Sequence, residues 1–130
     1  MLVKVLRDDM QHFDFQYKFG LNILNGKLNT NPKIPVGEGG LYYCKIEELD
    51  SHIYRGDMLC VVEIPEDAIV IPLQLSGNKY FRTDKLRLTD RIYRFDNNND
   101  VKELIKLNPN VKDYLNDPCF VNKLNRSIIN

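Results

Sequence analysis

The chain has 130 residues, 43% of them apolar, and its 18 Lys and Arg are balanced by 18 Asp and Glu. That suffices for one domain with one core and argues against global disorder. Zero net charge supplies no overall attraction to nucleic acid or to an anionic membrane, and it leaves little repulsion between copies, so homo-oligomers are open to the chain.

Cys44, Cys60 and Cys119 have no metal-type spacing. Their odd number and the apolar setting of Cys60 favour reduced, buried thiols and therefore a reducing, intracellular compartment. The stretch Met1–Arg7 is too short in apolar residues for a signal peptide, and no run approaches membrane-spanning length.

In chain order, residues 2–6 alternate loosely and predict an edge strand. Phe13, Phe15, Tyr17 and Phe19 alternate with polar residues, the period of a half-buried strand over 12–19 that Gly20 stops. Residues 21–26 predict a short strand closed by the Asn25-Gly26 turn. Residues 27–40 hold Pro32, Pro35, Gly37, Gly39 and Gly40 and predict a long loop of the kind that is often functional. A strand over 41–44 leads to a helix over Ile46–Arg55, with Ile46, Leu49 and Ile53 on one side and Glu47 and Glu48 in its first turn. Met58–Ile64 is the most apolar run and predicts the central strand, with Glu63 on a polar side of the sheet. Ala68–Ile71 predicts a strand ended by Pro72, Ser76–Asn78 a turn, and Lys85–Thr89 a strand with one wet face.

After Asp96–Asp100 the period changes from two to 3.6. Val101, Leu104 and Ile105 share a helix face behind an Asp100/Glu103 capping box. Val111, Tyr114 and Leu115 repeat the pattern, and Asp117-Pro118 opens a third helix lined by Phe120, Leu124 and Ile128. The expected architecture is a single α+β domain. Residues 1–95 form a β-rich body with a mixed, mostly antiparallel sheet and one central helix; residues 96–130 form a tail of short helices packed on the body or a partner.

No stretch carries a catalytic or metal motif. Gly37–Gly40 could cradle a phosphate through bare N–H groups, but the loop precedes a strand, so a turn that lets the backbone pass closely is the simpler account. Tyr17, Tyr42 and Tyr43 could stack on a planar ligand or fill a core. His12 and His52 have no partner at triad or metal spacing and read as surface residues. Residues 79–94 interleave Lys79, Arg82, Lys85, Arg87, Arg91 and Arg94 with Tyr80, Phe81 and Tyr93; strict alternation makes a solvated strand face a better account than nucleic-acid binding. The acidic stretch from Glu47 to Asp67 could pair with that basic one, within a copy or between copies.

Four blocks in order carry a family resemblance over residues 12–92: Phe15-Gln16-Tyr17-Lys18-Phe19-Gly20-Leu21-Asn22, Gly39-Gly40-Leu41-Tyr42-Tyr43, Val61-Val62-Glu63-Ile64-Pro65 and Arg82-Thr83-Asp84-Lys85-Leu86-Arg87-Leu88. They resemble the domain that precedes the repeats in mimivirus-type ankyrin-repeat proteins. The tail after Phe95 shows no ankyrin pattern, so the chain resembles that leading domain standing alone. The resemblance implies a giant DNA virus and an amoebal host cytoplasm, and it brings no established activity.

Gly40-Leu41-Tyr42-Tyr43, the following helix and Cys60-Val61-Val62-Glu63-Ile64 are also similar, in order and spacing, to the ADP-ribosyltransferase domain of poly(ADP-ribose) polymerases. There a His-Gly pair binds the nicotinamide ribose and a late Glu polarises the reacting sugar. At the matching places this chain has Lys18-Phe19-Gly20 and Asp84-Lys85. The leading expectation is therefore a non-catalytic interaction module for a host or viral protein, with no cofactor, no metal and no membrane. The alternative is a nucleotide-binding or degenerate ADP-ribosyltransferase-like enzyme using NAD, with a pocket of Tyr17, Gly20, Gly39, Gly40, Tyr42 and Asp84.

Overall fold

The computed structural model describes residues 1–37, 39–49, 53, 55–75 and 77–114. Its strands are β1 (Leu2–Leu6), β2 (Gln11–His12), β3 (Phe15–Gln16), β4 (Gly20–Ile23), β5 (Leu41–Lys45), β6 (Met58–Glu63), β7 (Val70–Leu75), β8 (Asn78–Thr83) and β9 (Lys85–Arg94). Seven of them form one sheet in the order β4-β9-β6-β1-β5-β8-β7, and β2 and β3 make a separate hairpin. Every described pairing is antiparallel. Among the described residues one α-helix, α1 (Asn98–Leu107), and short 3-10 turns complete the α+β architecture.

The connectivity forces the sheet to curl. β8 and β9 are joined by Asp84 alone, yet β6, β1 and β5 lie between them in the strand order. In a flat sheet they would stand about 19 Å apart, whereas two residues of chain reach about 7 Å. The two ends of the sheet meet at Asp84. Its carbonyl accepts from Leu24 N–H just past β4, and its carboxylate accepts from Ile69 N–H just before β7, both at 2.8 Å. The result is an almost closed barrel.

Alternation along the strands then separates two cores. Leu6, Tyr17, Leu41, Tyr43, Met58, Cys60, Val62, Leu86 and Leu88 fill one side of the curled sheet. Val3, Ile46, Leu49, Ile53, Leu59 and Phe95 pack on the other, beneath Val101 and Leu104 of α1 and Val111 of the 3-10 turn Pro109–Tyr114. Asn108 Nδ2 ties this tail to the body by donating to Ile46 O at 2.7 Å.

Several local expectations are corrected. β1 is central, between β6 and β5, not an edge. The alternating stretch 12–19 is not one strand: Phe13 and Asp14 take φ +48° and +62°, reversing the chain in a two-residue turn of the type I′ kind. Tyr17 is consequently buried while Phe13 and Phe19 stay exposed. Pro72 lies within β7 instead of ending it, which an edge strand tolerates because one side of its ladder is unused. The helix expected over 46–55 starts as a single 3-10 turn, Ile46–Glu48, and leaves helical geometry at Leu49 (φ −73°, ψ 88°); Ile53 and Arg55 are again in 3-10 geometry, and residues 50–52 and 54 lie outside the description. The N-cap of α1 is Asn97, whose side chain accepts from Asp100 N–H. Asp100 instead reaches back to Arg94 N–H at 3.0 Å. Glu63 is exposed opposite Arg87, as its strand position predicts. The third tail helix, over 117–128, falls on residues outside the description.

Gly56 marks the tightest backbone passage. A Cβ there would sit 2.5 Å from the carbonyl oxygen of Leu6. Gly56→Ala should lower unfolding free energy in urea by about 2–3 kcal/mol, as overpacking against unyielding backbone does. Gly77→Ala, with φ +82° but open space around it, should cost about 1 kcal/mol from backbone strain alone. Equal losses would refute the close-approach reading of Gly56.

Candidate functional site

Arg82 lies on β8 between Tyr42 of β5 and Ile71 of β7, and it is fully buried. Its guanidinium has five N–H donors, and five hydrogen bonds leave it. Nε donates to the Tyr42 hydroxyl at 3.1 Å. Nη1 donates to the carbonyls of Asn29 (3.1 Å) and Asn31 (3.0 Å), and Nη2 to those of Ile34 (2.7 Å) and Pro35 (3.1 Å). The long loop 27–40 thus wraps a buried cation with its backbone oxygens. Gly40 is part of the arrangement, because a Cβ there would collide with Cγ and Cδ of Arg82. Gly39, at φ +94°, accepts from Asn29 N–H at 2.8 Å, and Gly37 N–H donates to the Tyr42 hydroxyl at 3.1 Å.

Beside this clamp the sheet has a notch. β1 pairs with β5 only at Leu2↔Lys45 and Val3↔Cys44. Beyond that point the strands part around a cavity of about 310 Å³, bounded by residues 4–7 on one side and Tyr42–Cys44 on the other. Val36 brings the clamped loop into its wall. Lys4, Arg7 and Arg55 contribute cations to the lining, and His12, Phe13, Tyr42 and Tyr80 contribute rings. Arg7 also meets Asp9 at 3.0 Å in an exposed pair.

Lys4 crosses the notch. It belongs to the same strand face as Leu2 and Leu6 and is only 4% exposed. Its Nζ donates to Tyr42 O at 2.8 Å, stands 3.3 Å from His12 Nδ1 and lies 4.6 Å from the Tyr17 ring centroid. Burial drives its pKa down to about 7, with Cys44 opposing weakly. His12 is pushed down to about 3, first by burial and then by Lys4, Arg55 and Arg7, so its ring is neutral at physiological pH. Burial raises the Tyr17 hydroxyl above the usual phenol range.

The six residues expected to share a pocket are dispersed. Tyr42 lines the notch, and Tyr17 lies against Lys4 without lining it. Gly39 and Gly40 shape the Arg82 loop. Gly20, at φ +88°, pairs with Leu88, and Asp84 closes the barrel seam. His12 is half-buried at the notch, not a surface residue, because the β2-β3 hairpin lays it beside Lys4; His52 lies outside the described residues. Sequence reasoning missed Lys4 and Arg82. Lys4 had one signal: it interrupts an apolar strand, a pattern an edge strand would show for other reasons. Arg82 was hidden in a run of alternating cations whose other members, such as Arg87 and Arg91, are indeed exposed.

No family model matches the chain, and no solved structure does. Three proteins of Acanthamoeba polyphaga mimivirus are similar to it. "Putative ankyrin repeat protein R868" is 35% identical over 79 residues, covering 59% of this chain and 39% of the relative. "Uncharacterized protein R869" is 32% identical over 82 residues, 63% of this chain and 59% of the relative. "Putative ankyrin repeat protein R896" is 35% identical over 66 residues, 51% of this chain and 20% of the relative. The chain spans less than two thirds of the length of each. It is a distant homologue of these mimivirus proteins. Among the described residues no helix is long and apolar enough to cross a membrane.

Two consequences follow from the buried cations. Arg82→Met should cost about 2–4 kcal/mol, since it strips several buried acceptors at once, and should open residues 27–37 to limited proteolysis. Arg82→Lys, with three donors for five acceptors, should restore little of either; full restoration would refute the clamp.

Lys4 titrates near 10.5 when unfolded and near 7 when folded. Between those values the unfolded chain holds a proton that the fold has shed, so stability rises with pH. Relative to Lys4→Met, the wild type should gain stability from pH 7 to about 8.5, with a slope approaching ~1.4 kcal/mol per pH unit. Cys60 and Tyr43, pushed up to about 11 and about 12 by burial, bring the opposite sign at higher pH, and taking the difference from Lys4→Met removes their contribution. A flat or falling difference in urea unfolding over that window would show that the lysine is solvated.

Proposed function

We propose that the chain is a protein-interaction module of a giant-virus protein, and that it holds an acidic segment of a host or viral partner in the notch between β1 and β5. The observation that carries this reading is the convergence of Lys4, Arg7 and Arg55 on one ring-walled cavity. Burial is the main cause of the low pKa of His12, and Lys4, Arg55 and Arg7 lower it further. Arg7, Phe13 and Arg55 are exposed at the rim, where a partner meets them first. Phe13 is held at φ +48° there, a conformation that costs about 1–3 kcal/mol and needs support from its surroundings. Two relatives are named as ankyrin repeat proteins, and repeat arrays build extended binding surfaces, so a neighbouring domain with its own recognition pocket is in keeping with them. The setting we propose is the reducing host cytoplasm, where the buried Cys60 thiol persists.

A second reading, a nucleotide pocket or a degenerate ADP-ribosyltransferase-like site for NAD, is favoured by the rings of Phe13, Tyr42 and Tyr80 beside the cations. The cavity is at the small end of ligand pockets and suits a mononucleotide better than a dinucleotide.

Thermal unfolding with an aromatic, Asp/Glu-rich peptide, with AMP, with ADP-ribose and with NAD separates the readings. A ligand at about a hundredfold its dissociation constant stabilises by about 2.7 kcal/mol. The peptide should raise Tm at low salt, and the Arg7→Gln/Arg55→Gln double variant should abolish the rise. A rise with AMP, ADP-ribose or NAD but not with the peptide would replace the first reading by the second. No rise with any of them would sink both.

A further inference from the structure

We infer that Lys4 is a nucleophilic amine that forms an imine with a small anionic aldehyde held in the notch. The inference shares the notch with the interaction reading but not its ligand, and it stands if that reading fails.

The geometry is the first support. Lys4 lines a cavity large enough for a small organic molecule, and its Nζ is fixed by Tyr42 O at 2.8 Å and His12 Nδ1 at 3.3 Å. Both partners are neutral, and among the described residues no carboxylate lies within ion-pair distance of Nζ. A buried ammonium with neutral partners is costly, so the fold favours the uncharged amine. Burial, opposed by Cys44, lowers the Lys4 pKa to about 7, so at neutral pH a far larger share of Nζ carries a lone pair than in a solvated lysine. Desolvated amines of this kind are the ones that attack carbonyl carbon.

The surroundings select the electrophile. Arg7 and Arg55 place positive charge on the same cavity, which favours an aldehyde that also bears a carboxylate or phosphate, and Phe13 and Tyr80 offer rings to a flat body. The chemistry is self-contained. The Nζ lone pair attacks the aldehyde carbon, an N–C bond forms and the carbonyl oxygen takes up a proton. The carbinolamine then loses that oxygen as water, together with the remaining proton of the nitrogen, to leave a neutral C=N bond, so amine plus aldehyde gives imine plus water without oxidant or reductant. The bland alternative is that Lys4 only braces the gap between β1 and β5 by replacing a missing backbone rung.

The test treats the full-length wild-type chain with glyoxylate or pyridoxal phosphate at pH 7, reduces any imine with borohydride and maps the adduct by peptide mass. Lys4 should be labelled at least tenfold faster than exposed lysines such as Lys27 and Lys79, with a rate that reaches half its maximum near pH 7. In strong denaturant the selectivity should vanish. Arg7→Gln/Arg55→Gln should slow labelling by both anionic aldehydes but not by uncharged benzaldehyde. An unlabelled Lys4, or one labelled no faster than the surface lysines, overturns the inference and leaves the bracing role. Equal rates in the double variant overturn the anionic class of the ligand. Because the adduct is read by mass and the peptide complex by Tm, either can fail without the other.

Discussion

The structure depends on how one buried guanidinium is satisfied. Arg82 has every donor spent, four on loop carbonyls and one on Tyr42. A cation taken out of water is expensive unless it is hydrogen-bonded throughout. The loop oxygens face the mirror problem, since the described residues of the loop form no strand or helix to satisfy them. Each group answers the other's need. The loop can therefore be irregular and still have these carbonyls satisfied, and Gly40 is required because the arginine stem occupies the space of a side chain there. Val36 owes its place in the notch wall to the same clamp.

The notch is a product of topology as much as of side chains. A sheet that must bring β8 to β9 across a single residue has to curl, and Asp84 fastens both ends. Curling this tightly leaves a short pairing where β1 meets β5, of two residue pairs. Lys4 spans the gap that follows, so a lysine does by side chain what the next rungs would have done by backbone. Its ammonium is penalised by burial, and the price is a stability that depends on pH near neutrality.

Much of this was legible in the sequence where one force dominated. The strict alternation of Lys85–Thr89 marked β9, the apolar run marked β6, and the change of period after Asp96 marked α1, because burial on one face is a local signal. The prolines and glycines of 27–40 marked a loop. What failed was whatever tertiary contacts decide. Phe13 to Phe19 alternate as a strand does, but a reversal at Phe13-Asp14 with positive φ at two non-glycine residues has no sequence signature. Lys4 in an apolar strand reads as edge protection until the strand order shows it to be central. Arg82 looks like its exposed neighbours, and only the loop carbonyls, about fifty residues earlier in the chain, distinguish it. The expected pocket of Tyr17, Gly20, Gly39, Gly40, Tyr42 and Asp84 mixed residues of three structural tasks, since glycines and tyrosines are needed as much for close passage and packing as for ligands.

The two buried cations have opposite characters, and the difference indicates which is available for chemistry. Arg82 has all five donors saturated, by four loop carbonyls and the Tyr42 hydroxyl. Lys4 can lose its proton, because burial penalises its charged form. His12 cannot serve as a counter-charge, because Lys4, Arg55 and Arg7 all oppose its protonation. A protein under selection for stability alone would gain by an apolar residue at position 4, since replacing a poorly compensated buried ion by a well-packed hydrophobe is commonly neutral or stabilising. Lys4 therefore carries a burial cost that Arg82, with all five donors bonded, does not.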